Sequence, residues 1–293
     1  MLYYDDIRQI RGTDKARKEN MITYQNPIIH FAKNAVFSLE RTSRTSHLHW
    51  HEAIEFVYVL EGSLEFNLNS HLFKAEKGDI VIVNSAIVHS FTPLDGGADY
   101  YFLVADDKFF KTNNLYKNGT VFDFKVNTSE ARRLFDEIIR ETEKGDEYSR
   151  ISTLSVLMSL FIYLNRHHSQ GQDETPFTEK KKITMVRNAL VYLQEHYKEK
   201  LTVEMVADTL HFSESYLSHS FKEITHFSLI GYINLLRCQN ARTLMLEGAS
   251  VSEAAIECGF SEISYFTRVF KKTLGMIPSD VREEIFTLNN RKD

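Results

Sequence analysis

Cysteine is scarce. The 293 residues hold two, Cys238 and Cys258, too few for a disulfide-stapled secreted scaffold. Cys258 falls on an apolar stripe, where a small buried thiol is expected. A reducing cytoplasm suits such a chain. Long apolar runs are also missing: the longest, SVLMSLFIYL at 155–164, is far short of the roughly 20 residues that cross a bilayer. The opening MLYYDDIRQIRG has acidic groups and no apolar core, unlike a signal peptide. Neither secretion nor membrane insertion is expected. The third absence is an excess of positive charge. Lys and Arg number 35 against 40 Asp and Glu, for a net charge of −5, and residues 171–293 alone hold 15 against 17. Bulk charge therefore attracts no polyanion, and any pull on phosphates must come from a few well-placed cations. The rest is ordinary globular material, 43% hydrophobic and 26% charged, long enough for two domains of about 150 residues each.

The most informative stretch is SVSEAAIECGFSEISYFTRVFKKTLGMIP, residues 250–278. Val251, Ala254, Ala255 and Cys258 recur at helical spacing and make one apolar stripe. Ser250 and Glu253 form a capping box at its start. Gly259 permits the positive φ that ends a helix, Phe260 anchors the turn, and Ser261 is placed to cap a second helix. That second helix is expected to bury Tyr265, Phe266, Val269 and Phe270. Ser264, Thr267, Arg268 and Lys271 then share the opposite face, which carries donors and positive charge. The pattern recurs upstream: Val203, Val206, Ala207 and Leu210 repeat the stripe, and Phe212 repeats Phe260. Beyond a one-residue shift, Ser215, Tyr216, Leu217, Phe221 and Lys222 answer Ser264, Tyr265, Phe266, Phe270 and Lys271. Two copies are fewer than the three or so that a stacked solenoid needs, so a duplicated helix-turn-helix is the better reading. Between the copies, Ile233, Leu236, Ala241 and Leu244 stripe a helix over 228–246. At about 1.5 Å per residue it is a rod of about 28 Å, suited to holding two recognition helices near the roughly 34 Å spacing of successive major grooves.

Residues 183–283 resemble the DNA-binding domain of the AraC/XylS family of bacterial transcription regulators. The resemblance rests on Arg237, Ala241, Leu244, Ile256, Gly259, Phe260, Ser264, Tyr265, Phe266, Phe270, Lys271, Gly275 and Pro278. The first unit departs from the family at its end, with His226 where Gly is usual and Leu229 where Pro is usual. The resemblance implies DNA contacts from Ser215, Ser218, His219 and Lys222 in the first unit and from Ser264, Thr267, Arg268 and Lys271 in the second. It places Arg268 where the family's second recognition helix reaches a base edge, while Lys222, Lys271 and Lys272 add local attraction for phosphate. It also implies RNA polymerase as a partner and a homodimer as the working form.

The N-terminal half reads differently. From Ile28 to Tyr101, short runs rich in Val, Ile, Phe and Tyr are punctuated at Glu61-Gly62, Asn69-Ser70, Lys77-Gly78-Asp79 and Asp95-Gly96-Gly97. These predict a small antiparallel barrel or jelly roll. Within it, HLHWHEAIEFVYVLEG puts His49, His51 and Glu55 on one face if the segment is a continuous strand. GDIVIVNSAIVH ends in a further candidate, His89. The spacing His, one residue, His, three residues, Glu, six residues, Gly resembles the cupin barrel, with His89 where the second cupin motif has its histidine. Asn84, Ala86 and Pro93 depart from that second motif, which prefers Pro, Gly and Asn there. Three imidazoles and a carboxylate suit a divalent transition metal with open positions. The same groups can instead hydrogen-bond the hydroxyls or carboxylates of an effector. An effector pocket without bound metal or other cofactor is the expectation.

Strand-like segments continue to residue 127. A helix follows from Ser129 to Gly145, then a second from about Ser149 to His167 with apolar residues on more than one face, enough for the barrel on one side and a second subunit on the other. His167 and His168 receive no function. SQGQDETPFTEKKK then reads as a linker, and Ile183, Val186, Leu190 and Leu193 line the inner face of the next helix. The expected fold class is thus α+β in two domains: a cupin-like β-barrel with dimerisation helices over 1–168, a linker over 169–180, and an all-α double helix-turn-helix over 181–293. The expected protein is a cytoplasmic, dimeric transcription regulator, an activator controlled by a carbohydrate or related metabolite, and not an enzyme. The alternative is a metal-dependent cupin enzyme fused to a DNA-binding module.

Overall fold

The computed structural model describes residues 36–115 and 120–281; the irregular stretch expected over 1–27 lies outside them. The described residues fall into two compact units that divide between Lys180 and Lys181.

The N-terminal unit contains β1 (Phe37–Thr42), β2 (Ser46–His49), β3 (Ile54–Leu68), β4 (His71–Glu76), β5 (Ile80–Val83) and β6 (His89–Ala105). It continues through α1 (Asp107–Thr112), β7 (Thr120–Phe122), β8 (Lys125–Val126), α2 (Ser129–Lys144), α3 (Ser149–His167) and β9 (Ser169–Gln172). Two long antiparallel strands, β3 and β6, pair from Ile54 with Ala105 to Leu68 with His89. Both bend midway. Gly62 has φ +75, Gly96 and Gly97 have φ +91 and +84, and the register shifts between Val59 and Leu64. A Cβ on Gly62 would lie 2.1 Å from the Gly97 carbonyl oxygen, so glycine is needed for both the conformation and the close approach. The turns expected at 61–62 and 95–97 are therefore bends inside continuous ladders; glycine marks bulges as readily as it marks turns. At Asn69 and Ser70, with φ +46 and +78, the chain does reverse in a tight hairpin from β3 to β4.

The bends divide the sheet. One half joins β1, the end of β6, the start of β3, β5 and β8; the other joins β2, the start of β6, the end of β3 and β4. Val57, Val59, Val81 and Tyr100 of the first half and Leu64, Phe66, Leu68 and Phe91 of the second form a single buried cluster. Residues of opposite parity, Ile54, Phe56, Tyr58, Ile80 and Ile82, pack with Leu134, Phe135 and Ile138 of α2 and Leu157, Leu160 and Phe161 of α3. Among the described residues β1 and β8 end the pairing path without joining each other.

The C-terminal unit consists of α4 (Phe177–His196), whose start precedes the division, α5 (Val203–Thr209), α6 (Glu214–Thr225), α7 (Leu229–Leu246), α8 (Val251–Glu257) and α9 (Ile263–Leu274). Of the stretch expected as a linker, Ser169–Gln172 pairs as β9 with β7 and α4 begins at Phe177. Residues 173–176 separate the two. The expected inner face of α4, Ile183, Val186, Leu190 and Leu193, is buried. The two repeats are visible as α5–α6 and α8–α9. His211 (φ +60) holds in the first turn the left-handed position that Gly259 (φ +86) holds in the second, and His226 caps α6 as Gly275 caps α9. The capping box of Ser250 and Glu253 is present at α8.

Two expectations for the second unit fail. Helical backbone starts at Ile263, so the N-cap is Glu262 rather than Ser261, and no side chain caps it. Its counterpart Ser213 accepts a hydrogen bond from the Tyr216 amide. Tyr265 is 37% exposed, because the α9 core stripe consists of Phe266 and Phe270 and the preceding residue is rotated away from it.

Candidate functional site

The histidine cluster sits at one end of the interior of the bent sheet. His49 ends β2 and pairs in register with His89, the first residue of β6. Residues 50–53 break the strand before Glu55 enters β3 beside Val83 and Val104. The shared face of one continuous strand is therefore not what assembles the site. The chain turns between His49 and Ile54, and pairing across strands brings the four groups together. Their candidate ligand atoms lie within 4.8 Å of one another. His51, Glu55 and His89 are buried, with His89 at 0% exposure.

Each imidazole is oriented by backbone. Nδ1–H donates from His49 to the His47 carbonyl at 2.7 Å, from His51 to the Ala53 carbonyl at 3.1 Å, and from His89 to the Ile87 carbonyl at 2.8 Å. The Nε2 atoms of His51 and His89 both lie 3.3 Å from Glu55 Oε2. A neutral imidazole has one N–H, and here a carbonyl already takes it. Both ring nitrogens of His51 and of His89 therefore face oxygen atoms, an arrangement that a cation shared at Nε2 would also satisfy. Burial disfavours the Glu55 carboxylate, but the bonds from His51 and His89 outweigh that and hold its carboxyl well below the usual range. Burial, then the neighbouring His89 and His51, keep His49 well below the usual histidine value, hence neutral. Backbone-held Nδ1–H groups with Nε2 turned toward a common centre are also how metal-ligating histidines are fixed. The donor set fits a divalent transition metal.

The departures from the cupin motif acquire physical roles. Asn84 is buried, donates to the Phe122 carbonyl at 2.9 Å and accepts from the Phe122 amide at 2.8 Å, which ties β7 to the sheet. A proline could do neither. Ala86 has φ +64, a conformation that glycine adopts without strain, and its amide donates to the His51 carbonyl at 2.8 Å.

The second group of residues lies on the recognition helices. Ser215, His219 and Lys222 on α6 are exposed and Ser218 is half-buried; Ser264, Arg268 and Lys271 on α9 are exposed and Thr267 is half-buried. Each set shares a helix face, as the sequence predicts. Thr267 Oγ1 donates to the Ile263 carbonyl at 2.9 Å, and His219 Nδ1 lies 3.5 Å from Glu223. Arg268 makes no ion pair with Glu257 or Glu262 among the described residues; its guanidinium carbon stands 5.4 Å above the Tyr265 ring. Lys198 lies 3.9 Å from Glu257. The turn before α9 is closely backed: a Cβ on Gly259 would come within 2.4 Å of the Lys198 carbonyl oxygen. Cys238 and Cys258 are buried, which pushes both thiols up to about 12. They are packing groups.

Known proteins agree with this division. Residues 206–284 match the helix-turn-helix domain family and residues 35–104 match the cupin domain family. Among curated proteins, the HTH-type transcriptional regulator YdeC of Bacillus subtilis is 25% identical over 244 residues, 79% of this chain and 84% of its own length. The HTH-type transcriptional activator RhaR of Yersinia pestis is 25% identical over 256 residues, 80% of this chain and 84% of its own length. Among solved structures, ToxT of Vibrio cholerae aligns with a TM-score of 0.46 at 15% identity, over 86% of this chain and 97% of its own. The two domain matches and the regulators that share both halves define the class: the chain is a DNA-binding transcription regulator of the helix-turn-helix type. Its C-terminal half resembles the AraC/XylS family and its N-terminal half matches the cupin domain family.

Proposed function

We propose that the effector is read at His49, His51, Glu55 and His89, and that occupancy of this cluster controls promoter binding by α6 and α9. The observation that carries this reading is that both ring nitrogens of His51 and of His89 face oxygen atoms. Such a cluster is primed for a cation or for hydrogen-bond donors from a polyol or acid. A divalent transition metal, when bound, supplies a Lewis-acidic anchor for an effector oxygen. The three histidines and Glu55 would hold it, while the sheet interior excludes water. A carbohydrate or related metabolite is the effector class, and the similarity to the transcriptional activator RhaR supports activation over repression.

In this reading residues 1–168 form the sensing and dimerisation domain and residues 181–293 the DNA-binding domain, joined through 169–180. The bent sheet acts as the cupin barrel. Ile151 and Ile162 on the outer face of α3, 64% and 41% exposed, support a homodimer through that helix. Recruitment of RNA polymerase and work in the cytoplasm follow from promoter binding. Ser215, Ser218, His219, Lys222, Ser264, Thr267, Arg268 and Lys271 face the DNA. Arg268 reads a guanine edge through its planar fork, and Lys271, nearly a turn later, meets phosphate.

The test uses Trp50, the chain's one tryptophan and a neighbour in sequence of both His49 and His51. Titration with zinc, nickel and cobalt salts and with a panel of sugars should change its fluorescence in the wild type. In His51→Ala the change should be lost together with the effector response, while effector-free DNA binding persists. A variant with an unaltered response would place the pocket elsewhere.

A further inference from the structure

Tyr265 was expected in the core, yet it stands at the surface with Arg268 and Phe260 as neighbours. Arg268 lies 5.4 Å from its ring centroid, within cation–π range. The Tyr265 ring also meets Phe260 at 6.1 Å between centroids, and the Phe260 ring carries Arg237 at 5.6 Å. Arg237 does not move freely: its guanidinium donates to the carbonyls of Tyr197 at 2.6 Å and Glu199 at 2.7 Å, in the loop after α4. The same loop supplies the Lys198 carbonyl that closes against Gly259. Arg237, Phe260, Tyr265 and Arg268 thus form a series of cation, ring, ring and cation, from a backbone anchor to the exposed face of α9. The Tyr265 hydroxyl adds a long contact of 3.5 Å to Asn234 of α7.

A long exposed arginine samples many rotamers, and ordering it on binding costs free energy that a pre-stacked arginine has already lost. The first repeat provides the contrast. Phe212 and Tyr216 keep the ring pair at 6.0 Å, but the place of Arg268 is taken by His219, which lies near Glu223 instead. The pairing of stacked ring and arginine belongs to the second unit.

We propose that Tyr265 is a specificity-positioning residue: its ring holds the Arg268 guanidinium in the orientation that reads a base edge. This rests on the assignment of Arg268 as a base reader. The experiment is selection of binding sites from randomised DNA, followed by affinity measurement on the preferred site and on single-base variants. It uses the full-length wild type, Tyr265→Phe, Tyr265→Leu, Arg268→Ala and the double variant Tyr265→Leu/Arg268→Ala. Arg268→Ala should lose roughly fivefold or more of the discrimination at one base pair. Tyr265→Leu should relax discrimination at that same base pair, Tyr265→Phe should retain it because the ring remains, and the double variant should be no less discriminating than Arg268→Ala alone. Uniform loss of affinity in Tyr265→Leu, with discrimination unchanged at the Arg268 base pair, overturns the proposal and leaves Tyr265 a packing or phosphate-contacting group. If Arg268→Ala itself changes discrimination at no base pair, the assignment of Arg268 fails first. Circular dichroism of Tyr265→Leu checks folding, and Tyr265→Phe keeps the test decisive if the leucine variant unfolds.

Discussion

Ala86 shows how much one residue can decide. It holds φ +64 three residues before His89, and its amide fixes the His51 carbonyl. A left-handed non-glycine residue costs about 1–2 kcal/mol, and part of that is offset because alanine has fewer unfolded conformations to lose than glycine. Ala86→Gly should therefore raise the stability of the N-terminal unit by about 1 kcal/mol, seen as a later thermal transition followed through Trp50. An earlier transition would mean that the Ala86 methyl packs usefully. Gly259 is the opposite case. Gly259→Ala meets both φ +86 and a carbonyl oxygen 2.4 Å from the new Cβ, so a loss of about 2–3 kcal/mol or more is expected in the helical unit. Denaturation followed by circular dichroism measures it, and a loss under about 1 kcal/mol would show that the Lys198 loop yields easily.

Of the helices α5 to α9, α9 is the one that starts without a side-chain cap. Glu262 occupies its N-cap without a side-chain bond, whereas Ser213, Thr202, Ser228 and Ser250 all cap their helices. A carboxylate there gains from the helix dipole but leaves first-turn amides unpaired. Glu262→Ser should stabilise the unit by about 0.5–1 kcal/mol, read as a higher denaturation midpoint. An unchanged midpoint would mean that the charge of Glu262 already equals a hydroxyl cap. Helix α3 differs in kind. Leu157, Leu160, Phe161 and Leu164 pack in the core beneath the sheet, buried Thr153 meets Thr142 of α2, and Ile151 and Ile162 remain at the surface.

For the whole molecule, those exposed isoleucines are the test of assembly. Full-length protein is expected to sediment as a dimer, and Ile151→Glu combined with Ile162→Glu should shift it to monomer, since burying two unpaired carboxylates at an interface is costly. A dimer that survives both substitutions is held by another surface. Charge sets a second molecular property. With a net charge of −5, promoter affinity depends on a few local cations. Lys271→Ala should weaken all DNA sequences alike and reduce the salt slope of binding by about one.

The helical half was legible from the chain alone because its signals are local. Stripe spacing, the Ser250 and Glu253 box, the glycine of the second turn and the internal repeat all act within a few residues of themselves. The grouping of His49, His51, Glu55 and His89 was also legible from their spacing, although for a different geometric reason than the one that holds. Strand parity suggested one face for His49, His51 and Glu55, whereas the chain leaves the strand at Trp50 and the groups meet through the β2–β6 and β3–β6 ladders. Long-range contact likewise turned the glycines at 62, 96 and 97 from turns into bends, because the requirement is the Gly97 carbonyl 35 residues away from Gly62. It also brought Tyr265 out of the core and under Arg268, since residues next to a stripe face solvent or neighbours according to what packs beside the helix. Local periodicity specifies which elements form, while the partners of each side chain depend on segments distant in sequence that only folding brings together.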